Sequence, residues 1–120
     1  MRIYNRHMPR AERLAVRFPV IAFATASLSD ALDGATLVVN TTPVGMRDDE
    51  VPVPLEMLPR AAAVFDLVYR ANETAWVTAA RKAGHRAADG MGMLVEQGAL
   101  AFQRWFGVEP DRAVMWRAMR

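Results

Sequence analysis

The sequence predicts an α/β fold: a parallel sheet covered by helices, with two further helices closing the chain. Three observations predict it. Strand-like and helix-like segments alternate along the 120 residues, as in a chain of βαβ units. Leu37-Val38-Val39-Asn40 is apolar up to its last residue, as expected of a strand covered on both faces. That strand then breaks into the polar turn Asn40-Thr41-Thr42-Pro43-Val44-Gly45-Met46, and loops at strand ends are where open α/β sheets hold their ligands.

The elements follow in order. Arg2-Ile3-Tyr4 reads as a short strand. Pro9 suits the first turn of a helix, in which Ala11, Leu14, Ala15 and Phe18 recur at helical spacing while Arg10, Glu12, Arg13 and Arg17 face outward. Pro19 stops that helix, and Val20-Ile21-Ala22-Phe23 reads as a second strand. Ser29 to Leu32 makes one helical turn at most, and Leu37 to Asn40 is the third strand. Asp48 to Pro54 is an acidic, proline-bearing loop, followed by a short helix over Leu55 to Leu58 that Pro59 ends.

Ala62 to Leu67 reads as a fourth strand. Thr74 to Ala83 reads as a helix with Gly84 placed as its C-terminal cap. Arg86-Ala87-Ala88 is a short last strand. A long helix spans about Gly92 to Phe106, with Leu94, Gly98, Ala101 and Trp105 as its packed stripe, and a short one covers Asp111 to Met119.

Composition narrows the function classes. A chain of this length makes one domain at most, and a hydrophobic fraction of 52% supports a core. The absence of cysteine excludes disulfides, thiolate catalysis and cysteine metal sites. A net charge of +2 and no basic stripe with interleaved aromatics argue against nucleic-acid binding. No apolar run approaches a signal peptide or a membrane span, so a cytoplasmic protein is expected. His7 and His85 have no metal-ligand partner at suitable spacing, and no metal is expected. Lys82, near a helix end, complements the dipole there and is not read as catalytic.

Four groups of residues are candidates for a ligand site. Asn5-Arg6, with Arg10 one turn on, follows the first strand. In a dinucleotide-binding sheet that position meets the adenosine ribose, where an acid favours NAD and an arginine accommodates the 2′-phosphate of NADP; the alternative is a solvated arginine. Asn40, Thr41 and Thr42 supply an amide and two hydroxyls for a nicotinamide-ribose or pyrophosphate path, although these are also turn-forming residues. In Asp66-Leu67-Val68-Tyr69, Leu67 suits a flat ring and Tyr69 a polar ligand, against a boundary tyrosine in water. Asp66 is read equally as a turn-former or a functional acid. Gly90-Met91-Gly92-Met93 brings free helix amides close to a ligand, with Gln97 one turn beyond Met93; the alternatives are core filler for Met93 and a surface position for Gln97.

Together these motifs resemble the C-terminal part of the shikimate dehydrogenase family. The resemblance runs from Asn5-Arg6 and Arg10-Ala11-Glu12 through Asn40 to Met46, Asp66 to Tyr69, Thr74, Gly84, Asp89 to Val95, Gln97, Ala101-Phe102, Trp105 and Gly107. It implies a partial Rossmann-like sheet, with residues 1–120 forming the C-terminal part of an NADP-binding domain. It further implies that the segment from Asn5 to Arg10, including Arg6 and His7, holds the 2′-phosphate of NADP. Leu67, Gly90 and Met93 would meet the nicotinamide end, and Tyr69 and Gln97 would touch shikimate. Members of the family reduce 3-dehydroshikimate to shikimate with NADPH.

The sequence departs from the family pattern at three points. His7 stands where Thr or Ser is usual, and Arg70-Ala71 stands where Asn-Pro-like residues are usual. A substrate domain with its catalytic Lys and Asp, and a glycine-rich turn, are expected before the first strand and do not occur in these residues. The resemblance therefore assigns no catalytic residue, and these 120 residues alone are expected to be inactive. A missing N-terminal substrate domain is an expected partner. The alternatives are a non-catalytic NADP-binding or interaction module, and a quinate/shikimate dehydrogenase.

Overall fold

The computed structural model describes residues 1–18, 23–25 and 27–119. Strand β1 (Arg2–Tyr4) leads through helix α1 (Met8–Arg17) to β2 (Phe23–Thr25), and α2 (Leu28–Leu32) leads on to β3 (Leu37–Asn40). A 3-10 turn at Leu55–Met57 precedes β4 (Ala63–Asp66), α3 (Ala75–Lys82), β5 (Ala87–Ala88), α4 (Met91–Phe106) and α5 (Arg112–Ala118). The expected second-strand residues Val20, Ile21 and Ala22, and the stop at Pro19, lie outside the described residues; the strand that is described starts at Phe23 and runs to Thr25.

Every strand pairing is parallel, as the alternating sequence predicts. The expected single sheet, however, is two sheets among the described residues: β1 with β2, and β3-β4-β5. A doubly wound sheet has the order 3-2-1-4-5-6. In that order β2-β1 and β3-β4-β5 are the two wings, and no described strand takes the place between β1 and β3. Helix α2 joins the wings. Its Leu28 and Leu32 belong to the core under β3 and β4, while the Arg2 guanidinium of β1 donates to the carbonyls of Ala31 and Asp33 at its end.

Local signals account for the helix bounds. Thr74 caps α3 by accepting from the Val77 amide at 3.4 Å. The helix ends at Gly84, whose φ of +91° only glycine adopts without strain, while the His85 amide reaches back to the Ala80 carbonyl at 3.0 Å. Asp111 caps α5 by accepting from the amides of Ala113 and Val114. Arg112 ties α5 to α4 by donating to both carboxylate oxygens of Glu96.

The core of the larger wing is Leu32, Val53, Leu58, Val64, Trp76 and Ala80. Three expected apolar stripes are placed differently. On α1, Ala11 is buried but Leu14 and Phe18 are exposed. On β3, Leu37 and Val39 are exposed on one face. On α4, Trp105 stands in solvent and the buried residues are Met91, Val95 and Ala99. Helix α5 packs on α4 as well: the Trp116 ring lies nearest Gly92, and the Met115 methyl nearest Gly98. The exposed residues of α1 and β3 lie on the two strand–helix units that flank the position no described strand fills.

Candidate functional site

The ends of β3 and β4 form one cleft. Thr41, Thr42, Pro43 and Met46 line it from the first loop, and Leu67, Val68 and Tyr69 from the second, around a cavity of about 490 Å³. The parallel register makes this possible. Asn40 and Asp66 are partners on the last rung of the ladder, so both chains leave the sheet at the same level.

Beneath the cleft lies a buried polar network. Asp66 is 0% and Asn40 4% exposed. The Asn40 amide nitrogen donates to Asp66 Oδ1 at 2.8 Å and to the Val44 carbonyl at 3.2 Å. The Asn40 amide oxygen accepts from the Thr42 amide at 2.9 Å and from the Thr42 hydroxyl at 2.7 Å. Asp66 Oδ1 also accepts from the Val68 amide at 3.1 Å, and Oδ2 accepts from the Thr74 hydroxyl at 2.9 Å. The polar groups of Asn40 are thus taken up within the protein. The Thr42 hydroxyl is engaged too, accepting from the Val44 amide at 3.3 Å. Of the three polar side chains in this turn, the Thr41 hydroxyl alone has no protein partner among the described residues.

Helix α4 starts against the second loop. The Gly90 amide donates to the Val68 carbonyl at 3.0 Å, and the Met91 amide to Asp89 Oδ1 at 3.1 Å. Burial pushes the Asp89 carboxyl up from the usual carboxylate range; the Met91 amide pulls the other way, Glu73 pushes further up, Arg81 lowers it and Asp66 raises it. Met93 and Gln97 lie one turn apart on this helix, both exposed, and neither lines the cavity.

The strip from Asn5 to Arg10 is a separate feature, at the C-terminal end of β1 where α1 begins. Asn5 accepts from the His7 amide at 2.8 Å. Arg6, His7 and Arg10 are exposed. No side chain caps α1, no acid stands in its first turn, and neither Arg6 nor Arg10 is in an ion pair among the described residues. Pro9 carries no amide hydrogen and the Arg10 amide donates to the His7 carbonyl at 2.9 Å, so it is chiefly the two unpaired guanidinium groups that suit an anion here.

Sequence reasoning left Asp66 open between two roles and did not single out Thr74 as part of a site. The available signal was a carboxylate at the end of an apolar strand with a helix-capping threonine eight residues later. Arg70 also has a use that sequence reasoning missed: it donates to the Asp48 carbonyl at 2.9 Å and pairs with Asp49 at 2.8 Å, fastening the acidic loop beside Tyr69.

Comparison with known proteins agrees with this geometry. Residues 90–120 match the family described as the shikimate 5′-dehydrogenase C-terminal domain. The shikimate dehydrogenase (NADP(+)) of Methanocella arvoryzae is 42% identical over 123 residues, a match covering 98% of this chain and 46% of that protein. The crystal structure of the Thermus thermophilus shikimate 5-dehydrogenase, in complex with NADP(H) and shikimate, superposes with a TM-score of 0.84 and 38% identity over 99% of this chain and 44% of its own. The quinate dehydrogenase of Corynebacterium glutamicum in complex with NAD superposes with a TM-score of 0.80 and 30% identity over 95% of this chain and 43% of its own. The chain therefore spans less than half the length of the relatives it matches. Over nearly its whole length the chain is similar in sequence and fold to part of the shikimate dehydrogenases, and its last residues to their C-terminal domain.

Proposed function

We propose that this chain is the NADP-holding part of a shikimate dehydrogenase, and that it works with a further, substrate-holding domain. The observation that carries the reading is the cleft between Thr41 and Tyr69, set at the carboxyl end of a parallel sheet, in a chain that superposes on a protein holding NADP(H) and shikimate. Arg6 and Arg10, beside the uncapped start of α1, take the 2′-phosphate. Thr41 offers its hydroxyl to the ribose or pyrophosphate, while Asn40 and Thr42 act by shaping the turn. Leu67 packs on the nicotinamide, Gly90 lets the start of α4 approach it, and Met93 lies near the ring. Tyr69 and Gln97 bond the hydroxyl groups of shikimate.

When bound, the cofactor supplies a hydride to the carbonyl carbon of 3-dehydroshikimate, giving shikimate. The chain's own residues hold and orient. The acid–base group that completes the reduction is assigned to the substrate domain, so these 120 residues alone bind the cofactor without turnover.

Calorimetry with NADP, NAD and adenosine 2′,5′-bisphosphate tests the reading. NADP is expected to bind at least about ten-fold more tightly than NAD, since a charge-assisted bond contributes about 1.5–3 kcal/mol. Equal heats for NADP and NAD would favour the quinate-type reading that the NAD-bound Corynebacterium structure suggests; the lack of an acid between Asn5 and Arg10 argues against it. No heat with any of the three overturns cofactor binding and leaves an interaction module.

A further inference from the structure

We infer that Asp66 is a positioning residue: through the Asn40 side chain, its buried carboxylate sets how far the Thr41–Met46 turn stands from the Leu67–Tyr69 strip, and so the width of the cleft at the nicotinamide end. The inference rests on the cofactor reading above and deepens it.

A carboxylate only accepts hydrogen bonds, which forces the Asn40 amide to present its nitrogen to Asp66 and its oxygen to Thr42. One side of the carboxylate holds the first loop through Asn40, and the same oxygen holds the second loop through the Val68 amide. The other oxygen holds the start of α3 through Thr74. Three separate segments are thereby referred to one group. No cation is bonded to Asp66 among the described residues; neutral donors alone hold it. Burying such a group is costly unless its bonds are made, and the last rung of a ladder does not need it for pairing, since an apolar pair would serve. Its partners are Val68, which lines the cleft, Thr74, which starts the next helix, and Asn40, which in turn holds Thr42 of the cleft wall. The main-chain bond from the Leu67 amide to the Asn40 carbonyl, 3.0 Å, fixes the strand ends, while the Asn40 side chain holds the turn beyond them through Thr42 and Val44.

The test is to replace Asn40, which breaks the side-chain link between the loops and leaves the main-chain bond in place. In Asn40→Ala, NADP binding is expected to weaken about ten-fold, the equivalent of one or two buried hydrogen bonds, towards the affinity of adenosine 2′,5′-bisphosphate. The bisphosphate itself, which reaches only the Asn5–Arg10 end, is expected to bind within about two-fold of the parent chain. Asp66→Asn keeps acceptors for Asn40 and Val68 and can donate to the Thr74 hydroxyl, so it is expected to rescue NADP binding to within about three-fold, whereas Asp66→Leu is expected to match Asn40→Ala. Equal loss for both ligands, or no loss for either, overturns the inference. If the parent chain binds neither ligand, the cofactor reading fails, and amide exchange in the ligand-free chain decides the positioning role. The Thr42 amide is then expected to exchange at least about ten-fold faster in Asn40→Ala than in the parent, with the α3 amides unchanged; unchanged exchange at Thr42 overturns it. Should Asn40→Ala not fold, Asn40→Leu, which keeps the side-chain volume but offers no donor to Asp66, replaces it with the same readouts.

Discussion

Gly90 lies against the Leu67 carbonyl so closely that a Cβ on Gly90 would stand 2.2 Å from that oxygen. Its backbone is ordinary, so the demand for glycine comes from contact alone. The Gly90 amide bonds the next carbonyl, that of Val68, and together these contacts place the start of α4 on the strip that lines the cleft. Gly90→Ala must push the helix away from backbone atoms that cannot give. Overpacking of this kind costs about 1–3 kcal/mol. Urea unfolding is expected to show that loss, and a fall in NADP affinity is expected to accompany it.

Arg6→Ala is expected to weaken NADP about ten-fold while leaving NAD nearly unchanged, because the guanidinium meets only the 2′-phosphate in the proposed pose. The exposure of Arg6 adds a second signature. Its contribution is expected to shrink as salt is raised, and calorimetry at two ionic strengths reads both effects.

Asp89 gives a pH dependence with a defined sign. Burial raises its carboxyl above 3.8 in the folded chain, so the folded state takes up a proton more readily than the unfolded one. Its contribution to stability is fully present below 3.8 and is lost as pH rises through the raised folded value. Asp89→Asn keeps an acceptor for the Met91 amide and removes the titration. Thermal melts are expected to show the variant at or above the parent at neutral pH, with that advantage gone in acid.

Trp76 is the largest fully buried side chain among the described residues, at 1% exposure, and its indole nitrogen has no hydrogen-bond partner among them. Trp76→Phe removes the unpaired donor along with some apolar area, and these effects oppose. A change within about 1 kcal/mol is expected in urea unfolding. Trp76→Ala leaves a cavity and is expected to cost about 3–5 kcal/mol.

Much of the cleft was legible because its signals are local. Thr41, Thr42, Leu67 and Tyr69 sit where a strand runs into a loop, and the structure lines one cleft with all four. Asn40 was legible as a strand-end amide but not in its bonding. An asparagine at a strand end reads as an available amide, and only the register that sets it beside Asp66 shows that the amide is consumed. Met93 and Gln97 share a helix face with each other but not the wall of this cavity, and Arg6 and Arg10 stand at the end of a different sheet.

The sequence by itself determined where the helices of this chain stop and which strand ends carry polar turns, because caps, prolines, left-handed glycines and apolar periodicity act over a few residues. Thr74 and Gly84 bound α3 for reasons contained in their own neighbourhood. Tertiary structure decided the rest: the rotated stripe of α4, the exposed Leu14 and Phe18 of α1, the two separate sheets, and the single carboxylate to which both loops of the cleft are tied. Each depends on what lies opposite a residue across space, and amphipathic spacing says that a face wants cover without saying which neighbour supplies it.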